Sequence, residues 1–268
     1  MEDQYQYNIL YSCSDEPKYT GSQLVAEHAL SYILSGEIQL YTNRGKETFK
    51  EGTIGLIRRN QLAKVIKIPR ADGTPFHSIN IFLDQESLHS YSLKNQLPTE
   101  RHYLGEPFLV LPDDPFIQGF FSSLLPYFNQ PVQLTAALAA LKTTEIIELL
   151  IRNPDLKSFL FDFSEPFKID IENFMNRNYM FHISINEFAR LTGRSLATFK
   201  RDFTKKFSLP PEKWIRQKRL QQAHFLIAEQ KQSPSTVYLE VGFENFSHFS
   251  RTFKEFYGYN PSHAQQNT

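Results

Sequence analysis

With a single cysteine, Cys13, among 268 residues, the chain has no second thiol from which to build a disulfide framework. Cys13 sits in a short polar segment, where a buried or idle thiol is the default expectation. No apolar run approaches the roughly 18 residues that a membrane-spanning helix needs. The first residues, Met1, Glu2 and Asp3, are polar and acidic, without the basic start and apolar run of a secretory signal. The cytoplasm is the expected compartment, with no membrane partner. Walker loops, Gly-x-Gly-x-x-Gly, Cys-x-x-Cys and Gly-x-Ser-x-Gly are missing as well. That removes the commonest routes to nucleotide, redox and acyl-transfer chemistry, so no catalytic residue and no cofactor is expected.

Net charge is also lacking, at zero over the whole chain. Its distribution is uneven. From Glu165 onward 15 Lys and Arg stand against 10 Asp and Glu, a net of +5, and the rest of the chain carries −5. A basic C-terminal part and an acidic remainder suggest a nucleic-acid-binding half and a half with another task. The length favours two domains over one, and 41% apolar residues with 14% aromatics suffice for real cores.

The N-terminal part reads as β structure. His28 to Ser35 and Ile38 to Thr42 are apolar runs separated by Gly36-Glu37, with turn signals at Asn43-Arg44-Gly45 and Glu51-Gly52. Ile54, Leu56, Val65, Ile66 and Ile68 continue the pattern, and Phe76 to Leu83 is a further strand. Short strands at intervals of about ten residues predict a small barrel or two-sheet roll, with strands to about residue 105. From about 114 to 152 the pattern turns helical. Asp114-Pro115 is an N-cap followed by proline at the first helical position, and Pro126 ends or kinks that helix. Leu134 to Ile151 lacks Pro and Gly, and its Leu138, Leu141, Ile146, Leu149 and Leu150 make an arc wider than one face needs. Core packing and burial against a partner chain both fit that arc. Residues 153–166 are the expected linker, although Phe159, Leu160, Phe161 and Phe163 predict that it packs on something.

One pattern occurs twice in the C-terminal part. The first copy reads Ser195-Leu-Ala-Thr-Phe199-Lys-Arg201-Asp-Phe203, and the second Asn245-Phe-Ser-His-Phe249-Ser-Arg251-Thr-Phe253, 50 positions later. Each opens on an N-cap residue and spaces phenylalanines four apart with an arginine between. Leu196, Phe199, Phe203 and Phe207 fall on one helix face, as do Phe249, Phe253 and Phe256. The opposite faces are polar and basic. A helix precedes each copy, and Gly193 or Gly242 closes it, which makes helix, tight turn, helix, twice. Ile171, Phe174 and Met175 begin the first helix of this half. Ser184 and Glu187 form a capping box before the next helix, and Ser233-Pro234 does the same in the second unit. Between the copies, Pro211 to about Glu229 contains no Gly or further Pro, with Leu220, Ala223 and Ile227 in one stripe. About 18 residues at 1.5 Å each give a spacer of roughly 27 Å. Recognition helices reading one face of B-DNA sit about 34 Å apart.

These residues, with Lys218-Arg219-Leu220, Val241-Gly242-Phe243-Glu244 and Gly258-Tyr-Asn-Pro261-Ser262, resemble the AraC/XylS family of bacterial transcription regulators over about 100 residues, from roughly Phe167 to the C-terminus. The N-terminal strands are similar to the cupin-type sensing domain that commonly precedes such a pair. The resemblance implies an α+β chain: a cupin-like β-barrel with helices over 1–160, then an all-α domain of two helix-turn-helix units and a linker helix over 161–268. It implies a DNA-binding activator whose partners are duplex DNA, a second copy of the chain and RNA polymerase, with an effector molecule or antagonist protein of unknown identity. The outward Ala197, Thr198, Lys200 and Arg201, and Phe246, Ser247, His248, Ser250 and Arg251, would face bases. Arg194, Ser195, Lys205, Asn245 and Lys254 complete the candidate set, with Arg201 and Arg251 best suited to guanine and Lys205 and Lys254 to phosphate. The family usually has alanine where Tyr238 stands, glycine where Ser208 stands, and an aromatic and an arginine where Ala264 and Gln265 stand.

Two other classes remain open at this point: a cupin-like enzyme with a vestigial DNA-binding module, and an interaction protein that dimerises through residues 134–151. A cupin metal site needs several histidines and a carboxylate converging on one ion. Here His28, His77, His89 and His102 are scattered, Glu27-His28 is the one adjacent pair, and no metal is expected. Arg58-Arg59-Asn60 is a basic cluster, expected as a solvated loop, with an anionic effector as the alternative ligand.

Overall fold

A computed structural model describes residues 3–42, 45–97, 103, 105–129, 134–164 and 169–265. The chain is mixed α+β and divides into two compact units, Met1–Thr20 with Leu24–Ser164, and Gly21–Gln23 with Glu165–Thr268.

The described residues form ten strands: β1 Gln4–Gln6, β2 Ile9–Ser14, β3 Lys18–Val25, β4 His28–Ser35, β5 Glu37–Thr42, β6 Gly45–Lys50, β7 Ile54–Ile57, β8 Gln61–Ile68, β9 Phe76–Leu83 and β10 Phe108–Val110. They form a six-stranded sheet in the order β1-β2-β9-β4-β7-β10 and a four-stranded sheet in the order β3-β8-β5-β6. From β2 to β9 the chain passes back and forth between the sheets. Among the described residues no hydrogen-bonded ring closes the two into one barrel. Asn43 and Arg44 of the expected turn, and His102, lie outside the described residues.

Five helices of the first unit lie among the described residues: α1 Gln85–Lys94, α2 Pro115–Leu124, α3 Pro126–Asn129, α4 Ala136–Ile151 and α5 Pro154–Leu160. Asp114 caps α2 and Thr135 caps α4 through their side chains. Pro126 does end α2, and α3 restarts from it. The expectation of strands up to about residue 105 fails at α1, which Asp84 caps by accepting from Ser87 N at 2.7 Å. Ile9, Leu30, Leu56, Ile79 and Ile81 from the larger sheet share one core with Phe120, Phe121, Leu124, Ile146, Leu150, Phe159 and Leu160 from the helices. Leu138 and Leu141 of α4 stay exposed, so one face of the wide apolar arc is core and the other is not.

Residues 153–164 are not a linker. Asn153 caps α5, and Phe159, Leu160 and Phe161 are fully buried, which carries the first unit's core to Ser164. Residues 165 and 166 of the expected linker lie outside the described residues. Nor is Arg58-Arg59 a solvated loop. Arg58 is paired with the buried carboxylate of Asp162, and Arg59 donates to Ser164 O at 2.8 Å. Burial raises the Asp162 carboxyl, but the Ser164 hydroxyl, the backbone N–H groups of Tyr103 (3.0 Å) and Ser164, and the charge of Arg58 together hold it below the usual carboxylate range. The cluster thus ties the end of the unit to the β7–β8 turn. His28 beside it is buried against Phe159, with ring centroids 5.3 Å apart. Burial, and then the charges of Arg59 and Arg58, push its pKa down to about 3. Cys13 is a buried free thiol.

The second unit is helical: α6 Ile171–Asn178, α7 Ile185–Leu191, α8 Leu196–Phe207, α9 Pro211–Ala228, α10 Pro234–Glu240 and α11 Phe246–Tyr257, followed by a 3-10 turn at Pro261–Gln265. No described helix is long and apolar enough to cross a membrane.

Candidate nucleic-acid interface

The duplicated pattern folds as twin helices of equal length. Ser195 caps α8 by accepting from Thr198 N, and Asn245 caps α11 by accepting from His248 N at 3.0 Å. Both helices end in a left-handed residue. In α11 it is Gly258, which adopts φ 85 at no steric cost, and in α8 it is Ser208, held at φ 56. Ser184 and Glu187 make the reciprocal capping box of α7, and Ser233 caps α10.

Phenylalanines fix each helix to its unit. Phe199, Phe203, Phe249 and Phe253 are completely buried. Two of the expected inward positions turn outward instead: Leu196 is 38% exposed and Phe256 is 42% exposed. The third inward aromatic of α11 is Tyr257, tilted against Phe253 with ring centroids 4.7 Å apart. Four residues advance an ideal helix by about 40° beyond one turn and three fall about 60° short, so position 257 stays nearer the Phe253 stripe than 256 does.

The long helix α9 is bolted to both halves. At its start, Trp214 packs on Phe203, Phe207 and Tyr179 with centroids 5.5, 4.6 and 6.2 Å away. At its far end, Leu220, Ala223, Leu226 and Ile227 share a core with Val237, Phe249 and Phe253, and His224 bonds the Tyr259 hydroxyl at 2.8 Å. Between these anchors Arg219 is buried. It donates to Tyr179 O and Gly242 O at 2.8 Å and to Phe181 O at 2.9 Å. One guanidinium thus satisfies carbonyls from the segment before α7 and from the turn of the second unit. Gly242 sits at φ 96, and a Cβ there would lie 2.2 Å from Met180 O, so the close approach admits glycine alone.

The candidate residues divide into two groups. Ala197, Lys200, Arg201, Lys205, Phe246, Ser247, His248, Arg251 and Lys254 are exposed, and Thr198 and Ser250 are half-buried. The Arg201 side chain is 75% exposed and lies 3.7 Å from Asp202, and Lys200 meets Glu212 at 3.5 Å across open surface. Arg251 has no ion pair among the described residues. Arg194 belongs to the other group. Its side chain is 8% exposed, pairs with Asp202 at 3.2 Å and donates to Ile169 O and Thr192 O at 2.9 and 2.7 Å. It braces the turn before α8 through Nε and Nη1. Ser195 and Asn245 likewise use their side chains as caps. Lys206, in the last turn of α8, is held by Glu172, which raises its pKa.

Phe246, Ser247, Ser250, Arg251 and Lys254 line one open depression, and Asn260 joins them. Asn260 lies beyond the helix end, where the helical repeat that marks the other five does not reach. Among the described residues no group of His, Cys, Asp and Glu could hold a metal ion.

Residues 28–162 match the family model of the ExsA N-terminal regulatory domain, and residues 188–267 match that of a helix-turn-helix domain. The HTH-type transcriptional regulator ExsA of Pseudomonas aeruginosa is 30% identical over 132 residues, 48% of each chain. The virulence regulon transcriptional activator VirF of Yersinia enterocolitica is 33% identical over 95 residues, 35% of each. These alignments span about half or less of the relatives' own length. The solved structure of ToxT from Vibrio cholerae aligns along 99% of this chain and 98% of its own at 12% identity, with a TM-score of 0.43.

Proposed function

The chain belongs to the AraC family of helix-turn-helix transcriptional regulators, with a regulatory domain of the ExsA type, and on that premise we propose that it activates transcription by placing α8 and α11 in successive major grooves of one duplex. The observation that carries this reading is the pair of capped, equal helices, each glued down by buried phenylalanines with Arg201 or Arg251 left in solvent. Arg201 and Arg251 contact guanine, Lys205 and Lys254 contact phosphate, and Ala197, Thr198, Lys200, Ser247, His248 and Ser250 complete the base-facing surface.

In this reading the first unit is the sensing and pairing half. Its two sheets wrap as a cupin-like roll, a second copy of the chain covers the exposed Leu138 and Leu141 of α4, and an effector or antagonist protein acts there to change pairing or release the second unit. RNA polymerase is the proposed partner at the promoter, and the cytoplasm the proposed compartment. The named relatives are regulators, not enzymes.

Binding of the full chain to a duplex selected from a random pool tests this. Log affinity falls linearly with log salt as phosphate contacts release counterions. Arg201→Ala weakens the selected duplex by about 1–3 kcal/mol and relaxes one base position. Affinity indifferent to salt, and to which sequence is offered, contradicts the reading.

A further inference from the structure

Phe246 is the first residue of α11, directly after its cap Asn245, and it remains 42% exposed although two aromatic rings stand close by. Tyr238 of α10 meets its ring edge-on at 5.5 Å and 72°, and Phe249 lies 6.1 Å away. Those contacts hold one side of the ring and leave the other open. The equivalent position of the first unit, Leu196, is also a large apolar residue left in solvent. The open side of Phe246 faces the depression that Ser247, Ser250, Arg251, Lys254 and Asn260 share. Two cations in that wall suit a polyanion, and the opening residues of a recognition helix are the ones that reach base edges. Among the groups that base pairs present in the major groove, one is apolar, the C5-methyl of thymine.

Resting on the DNA-binding reading above, we propose that Phe246, propped by Tyr238, is a specificity-determining residue that reads a thymine C5-methyl in the second unit's half-site. Arg251 and Lys254 bring the backbone and neighbouring bases into place. Phe246 supplies discrimination without a hydrogen bond, by removing one methyl group and one ring face from water.

The test uses the full chain and a duplex selected by it from a random pool. The half-site of the second unit is the one whose selection Arg251→Ala relaxes. Each thymine there is replaced in turn by deoxyuridine, which deletes the methyl and leaves the pairing edge intact. At one position uracil weakens binding about fourfold, the effect expected for one methyl-sized group. Phe246→Ala and Phe246→Gln, confirmed as folded by thermal melting, bind thymine and uracil duplexes equally at that position. The proposal is overturned if uracil is tolerated throughout that half-site, or if both variants retain the native penalty. A native chain that is sequence-selective yet indifferent to uracil overturns this inference alone; a native chain with no sequence preference overturns the regulatory reading along with it.

Discussion

Ser208 shows how a single residue carries a local cost. An L-residue at φ 56 crowds its own Cβ against the backbone, whereas the matching Gly258 of α11 does not. Ser208→Gly therefore stabilises the second unit by about 1 kcal/mol, read as a raised melting temperature with unchanged DNA preference. His28 carries a cost of another kind. Its pKa falls to about 3 in the folded state from an ordinary value of 6.5, so between those limits the unfolded chain binds the extra proton. Stability is complete above pH 6.5 and declines as pH drops, by up to about 1.4 kcal/mol per pH unit from this group. Thermal melts from pH 7 to 5 should show that slope in the first unit, and His28→Gln should flatten it. Arg194 was not legible as a brace, because its partners Ile169, Thr192 and Asp202 are brought together by the turn and not by any helical repeat. The outward Arg201 was legible because its neighbours Phe199 and Phe203 fix which way the helix faces.

At the scale of elements, the twin helices and α9 could be read from caps, prolines and four-residue apolar spacing, all of which act within one turn. Helix α1 is harder to see. Among its ten residues only Leu88, Tyr91 and Ser92 are buried, too few and too mixed to announce a period. The early strands Gln4–Gln6, Ile9–Ser14 and Lys18–Val25 are rich in polar residues and show no clean alternation, so their pairing decides them. Residues 153–164 carry a greasy run that fits a core segment as well as a tether, and only the fold shows Phe159 and Leu160 buried. Helix α9 offers the sharpest prediction at this scale. Arg219→Lys keeps the charge but cannot span three carbonyls in a fixed fork, so the two helix-turn-helix units lose their common clamp. The variant should still melt cooperatively. It should tolerate a one-base-pair change in half-site spacing that the native chain rejects, as read by competition binding. Equal discrimination by both proteins would show that Trp214 and the Leu220–Ile227 stripe suffice.

For the whole molecule, the charge division between the two parts of the sequence accompanies the division into two compact units, with Phe161 and Asp162 tied into the first. In the proposed reading, one chain carries two groove-reading elements on a stiff spacer, an arrangement that simple repressors reach by pairing two subunits. The measurement that bears most directly on this is selection of duplexes by the full chain, followed by insertion of five base pairs between the recovered motifs. Two short motifs about one helical turn apart are expected, and the insertion, which places them on opposite faces of the duplex, should reduce binding to that of a single half-site. A lone motif, or two motifs whose affinity ignores the insertion, would contradict a rigid pair of helices reading one face of DNA.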